Sequence, residues 1–171
     1  MDKQQFWAVI EESRRALKPD EPEGNNELQI ERLEKILSRF SPEEVIGFRD
    51  AFDERLAEAF RWDFWGVAYI LGEGCSDDYF EYFRRWLVSM GRDVFDEAMR
   101  NPESIESAAS RGDVEDIFFE DITHVADDVY RRKTGRDMPE SAVPFPDEPK
   151  GQRWRTDDDL RAMFPALSQR H

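Results

Sequence analysis

Three groups of side chains in this sequence have the types and spacing to do chemistry. Gly74-Cys75-Ser76-Asp77-Asp78 sets a thiol just ahead of a helix start, where the helix dipole can stabilise a thiolate. Glu73, Asp77 and Asp78 crowd that thiol with negative charge, which pushes its pKa upward. A nucleophile also needs a base, and His124 is the only internal histidine. The residues therefore read first as a tight turn, with Ser76 capping the next helix. Asp121, His124 and Asp128 fall at i, i+3 and i+7, on one flank of a predicted helix. Carboxylate-x-x-His builds di-metal sites in helical bundles when a facing helix supplies a second copy. The other histidine is His171, so this is half a site, and neither a metal nor a cofactor is expected. Arg84 and Arg92 have the planar fork that grips carboxylate or phosphate, but the density of acids around them favours pairing within the molecule.

Trp62, Asp63 and Trp65 precede the turn closely enough to help line a cleft beside it. The candidate binding patch is thus Trp62, Asp63, Cys75, Ser76, Asp77, Asp78, Arg84 and Arg92, with no catalytic set among them. The acid-rich stretches Asp113 to Asp121 and Asp127-Asp128 read as a solvated face. No stretch has the Asp-x-Asp-x-Asp-Gly pattern of a calcium loop.

These groups must be held by helices, because apolar residues recur at helical spacing almost throughout. Phe6, Ile10, Ser13 and Leu17 share a face behind a capping Asp2, and Leu33, Ile36, Leu37 and Phe40 share another. Ser41-Pro42-Glu43-Glu44 combines an N-cap serine, a first-turn proline and a capping-box glutamate. The helix it opens carries Val45, Phe48, Phe52, Leu56 and Phe60 on one side. Trp62 to Leu71 is apolar almost all round. Periodicity alone also fits a strand, but the flanking helices and the lack of a partner strand predict a buried central helix, with Gly66 marking close packing against another backbone. After the turn, Tyr79, Phe83, Trp86 and Met90 form the expected buried stripe, flanked by Phe80 and Leu87 and ended by Gly91. Val94, Phe95, Ala98 and Met99 make a short helix before Asn101-Pro102. Glu103 to Gly112 is weakly patterned and reads as mobile. Phe118, Ile122, Val125 and Val129 define a long amphipathic helix whose acids lie near its start and whose bases lie near its end.

From Met138 the chain changes character. Pro139, Pro144, Pro146 and Pro149 describe an extended arm. Trp154 follows, and Thr156-Asp157-Asp158-Asp159 opens a last short helix ending at Phe164-Pro165. Exposing Trp154 and Phe164 would waste apolar surface, so the tail is expected to lie back on the body. The fold class is all-α: a single helical-bundle domain with a Pro-rich C-terminal arm packed on it. Residues 1–137 form the helical part, and residues 138–171 form the arm and terminal helix of the same globule.

Composition bounds the rest. The 171 residues suit one domain, and 13% aromatic content separates this chain from disordered acidic proteins, which have nothing large to bury. A net charge of −15 repels phosphate backbones and anionic membranes and favours a basic protein partner. Neither nucleic acid nor a membrane is expected to bind. The longest apolar run, Phe64 to Leu71, is far short of the ~20 residues that cross a bilayer. A single cysteine excludes an intrachain disulfide framework, and a polar N-terminus lacks the plan of a secretion signal. A cytoplasmic setting follows as the expectation.

Phe6-Trp7-Ala8-Val9-Ile10, then Trp62 and Trp65 before Gly74-Cys75-Ser76-Asp77-Asp78, then Phe83-Arg84-Arg85-Trp86-Leu87 and Gly91-Arg92, carry a resemblance. With the Trp154 and Phe164-Pro165 regions it spans nearly the whole chain. The sequence resembles a bacterial family of uncharacterised proteins, the domain of unknown function numbered 4240. The resemblance implies an all-helical bacterial cytoplasmic domain and brings no activity, cofactor or catalytic residue.

Two functions from different classes follow. One is a non-enzymatic interaction module whose acidic surface docks a basic partner. The alternative is a small-molecule-binding protein or hydrolase with a pocket near the Gly74–Asp78 turn. A mimic of nucleic acid or a neutraliser of a toxin would share the acidity, but no residue spacing points to either.

Overall fold

The computed structural model describes residues 1–171 and contains ten α-helices, one short 3-10 turn and no sheet. Asp2 opens α1 (Lys3–Arg14) with a capping box, its carboxylate accepting from the Gln5 N–H at 2.8 Å while Gln5 reaches back to the Asp2 N–H. Ser41 and Glu44 make the reciprocal pair that starts α3 (Pro42–Glu58). Between them lies α2 (Asn25–Leu37). The apolar Trp62–Leu71 segment is helix α4, followed by α5 (Asp77–Ser89), with Ser76 Oγ accepting from the Tyr79 N–H. Gly91, at φ +97°, makes the sharp junction to α6 (Arg92–Arg100).

The weakly patterned segment after Pro102 is helical in part. Ser104–Ala109 is helix α7, and Ile105 and Ala108 are buried. Two inward apolar residues were too few for a periodic signal, but they suffice to pin one and a half turns on a neighbour. The long helix expected from Phe118 starts later: a 3-10 turn (Asp121–Thr123) leads into α8 (His124–Thr134). Phe118 lies before it, half-buried, and Phe119 takes the inward position. The α5 stripe is also rotated. Tyr79 is 52% exposed while Phe80, Phe83, Trp86 and Leu87 are buried. Its hydroxyl finds water outside, whereas the benzene ring of Phe80 loses nothing by going in.

One continuous cluster of 34 buried apolar residues runs through these helices. α1 packs on α2, and α8 closes over both α2 and α3. Buried polar groups stitch the layers: Gln29 Nε2 donates to Ser89 O at 3.0 Å, and Arg14 Nη1 donates to Ser89 O at 3.1 Å.

The arm returns to this body. Lys150 pairs with the α3–α4 junction, its N–H donating to Phe60 O and its carbonyl accepting from the Trp62 N–H, both at 2.9 Å. Helix α9 (Asp157–Met163) starts at a Thr156–Asp159 capping box, and Pro165 opens the single turn α10 (Pro165–Ser168). Leu160, Phe164 and Leu167 are buried. A Cβ at Gly66 would come within 2.8 Å of Leu160 Cδ1 and 2.9 Å of Phe164 Cε2. The close approach expected at Gly66 is therefore to side chains of the tail, not to another backbone. No helix is long and apolar enough to cross a membrane.

Candidate functional site

The first turn of α5 and the loop before α8 build one surface together. The Phe119 N–H donates to Tyr82 O at 3.2 Å, Arg85 Nη1 donates to Glu120 O at 2.6 Å, and the Tyr82 hydroxyl meets Glu120 Oε1 at 3.1 Å. These bonds set the segment that carries Asp116, Glu120 and Asp121 against α5, whose first turn carries Asp77 and Asp78. All five carboxylates are exposed and none stands in an ion pair, whereas nearby Glu81 is paired with Arg85. Among them sit three rings: Tyr79 packs edge-on to Phe118 at 4.9 Å and to Tyr82 at 5.9 Å. The Tyr82 hydroxyl is pushed up in pKa, first by its hydrogen bond to Glu120, then by desolvation and by the charges of Glu120 and Asp78.

The remaining candidate residues are dispersed around this surface. Ser76 is spent on its cap. The Cys75 sulfur lies 3.5 Å from Ser76 O, and burial pushes its thiol up to about 12, opposite to what a nucleophile needs. Cys75, Ser76, Asp77 and Asp78 line none of five open clefts of about 340 to 850 Å³ on the surface. Trp62 stacks on Trp65, 5.2 Å apart and 8° from parallel, and Trp65 Nε1 donates to Cys75 O at 3.0 Å. Asp63 is held by Arg61 and caps the Phe64 N–H at 2.8 Å. Arg92 pairs with Asp96 at 3.3 Å, and its N–H donates to Glu11.

Arg84 departs most from expectation. It is 5% exposed and has no carboxylate partner. Its Nη1 donates instead to Leu56 O at 3.1 Å, a carbonyl in the last turn of α3. Its guanidinium lies over Phe60, Phe80 and Phe145 at 4.8, 5.0 and 5.3 Å. The negative helix end and three ring faces do the work of a counter-ion, and burial draws its pKa down to about 10. Phe145, half-exposed on the arm, is the third wall of this box.

Asp121, His124 and Asp128 line an open cleft of about 710 Å³ with Asp127, Arg131 and Asp137. They do not converge on a point, and no group of His, Cys, Asp and Glu in the chain is arranged to hold a metal ion. Sequence reasoning named Asp77 and Asp78 as candidates but not Phe118, Tyr82 or Glu120. The signal for Phe118 and Glu120 was the run of aromatics and acids before α8, which reads in sequence as part of a helix face; Tyr82 carried none.

The model of a family described as "Protein of unknown function (DUF4240)" matches residues 1–132. No curated protein and no solved structure matches the chain.

Proposed function

On the premise that the chain belongs to the DUF4240 family, whose function is unknown, we propose that it is a non-enzymatic protein-interaction module docking a basic segment of a partner protein. The observation that carries this reading is the cluster of Tyr79, Tyr82 and Phe118 among five unpaired carboxylates. Tyrosines are favoured anchors at interfaces because one end is apolar and the other hydrogen-bonds. Unpaired acids around them attract lysine and arginine, speed encounter and set orientation. An unpaired rim also avoids the cost of first breaking internal salt bridges.

The test is binding of a labelled peptide alternating lysine with leucine, followed by fluorescence anisotropy. Affinity should fall steeply as salt rises, since the charges are exposed. Asp77→Asn with Asp78→Asn should weaken it. Tyr79→Ser leaves every charge in place and should still weaken binding about tenfold if the rings anchor the partner. Equal binding by Tyr79→Ser would reveal only diffuse attraction to an acidic surface and would sink the proposal.

A further inference from the structure

We infer that the cleft beside Trp154 is a binding site for a flat aromatic ring carrying an anionic group. Three independent observations meet there.

The first is charge. Fifteen of the 24 lysines and arginines stand in ion pairs, as a chain so rich in acids would lead one to expect. Lys150, Arg153 and Arg155 are exposed and stand in none, although Arg61 and Arg161 close by in sequence or space are paired with Asp63 and Asp158. The one acid lining the cleft is Asp159, whose Oδ2 accepts from the backbone N–H groups of Arg155 and Thr156 at 3.0 and 3.1 Å. The cleft itself is thus lined by two guanidinium groups without a carboxylate partner, Arg153 and Arg155, against one acid already engaged by backbone N–H groups.

The second is a stack of planar groups. Arg84 lies over Phe80 at 5.0 Å, Phe80 stacks on Trp65 at 4.8 Å and 14°, and Trp65 stacks on Trp62 at 5.2 Å and 8°. Arg153 closes the column over Trp62 at 4.8 Å. The column is rooted in a buried arginine, so its rings are held in place. Its outer member, Arg153, is exposed and also lines the cleft, and a guanidinium plane is a surface on which an aromatic ring stacks without regard to its substituents.

The third is room. Arg153, Trp154, Arg155 and Met163 line an open cleft of about 850 Å³, within the range of small-ligand sites. Trp154 packs edge-on against Trp62 at 5.9 Å and tilted against Tyr69 at 6.0 Å. A ring on the column would leave its acidic substituent within reach of Arg155, which can take carboxylate or phosphate through two N–H groups.

The ring and the charge must be on one molecule, since either alone meets only half the site. The site shares no residue with the acidic surface of α5, so the two proposals fail separately. The isotopically labelled full chain would be titrated with adenosine monophosphate and with indole-3-acetate, following the tryptophan indole N–H resonances. Ribose 5-phosphate and adenosine serve as the charge-only and ring-only controls. Saturable shifts at Trp62 and Trp154 with either test ligand, much weaker with both controls, support the site, and the better ligand shows whether phosphate or carboxylate is preferred. Arg153→Lys keeps the charge and loses the plane, and should weaken binding at least about tenfold. No saturable shift with either ligand, equal response to a control, or unchanged binding by Arg153→Lys would overturn the inference.

Discussion

At the scale of single residues, burial decides what Cys75 and Arg84 can do. The Cys75 thiol is held near 12 by desolvation, from an ordinary value of 9.0. Alkylation with iodoacetamide at about pH 8 should therefore run at least about a hundredfold slower in the folded chain than in urea. The sign for stability follows. Above pH 9 the unfolded chain gives up this proton while the folded chain keeps it, so Cys75 disfavours folding increasingly up to about pH 12 and contributes nothing at neutrality. The acids flanking Cys75 were visible in the sequence, and an upward shift was the expectation, although burial and not their charge causes it. Arg84 was harder to read. Apart from Phe80, one turn before it, its partners lie outside α5, 28 residues before it in the case of Leu56, and nothing local in Phe-Arg-Arg-Trp announces a carbonyl at a helix end as the acceptor. Tyr79 was misplaced for a similar reason: neighbouring aromatics at positions 79 and 80 fit the same stripe, and only packing of α5 selects between them.

At the scale of elements, caps were legible and junctions were not. Asp2, Ser41, Ser76 and Thr156 each bond a backbone N–H three residues on, and that chemistry is contained in four residues of sequence. Helix α7 and the late start of α8 depend on long-range burial of Ile105 and Phe119, which periodicity cannot see in so short a window. Gly66 shows the same divide: its need for space was readable, its neighbour was not. Gly66→Ala should destabilise the fold, because overpacking costs about 1–3 kcal/mol against up to about 1 kcal/mol gained in helix propensity. Urea denaturation measures the net loss. Leu160→Ala in the same chain should recover part of the alanine's effect, since a Cβ there meets Leu160 first.

At the scale of the whole molecule, charge is the governing quantity. With 39 acids against 24 bases, like-charge repulsion works against compactness, and screening should relieve it. Raising salt from a few millimolar to about 0.3 M should lift Tm by roughly 2–5 °C, read by far-UV circular dichroism; a fall would mean that the many surface ion pairs outweigh the repulsion. The seam at Lys150 has a consequence for synthesis. Two backbone hydrogen bonds between positions 60, 62 and 150 join chain made early to chain made late. A ribosome that has delivered α1 through α8 still leaves the start of α4 without its partner and the face of Gly66 bare. Until residues 150 to 167 emerge, that apolar face is a place for chaperones to hold or for neighbouring nascent chains to stick.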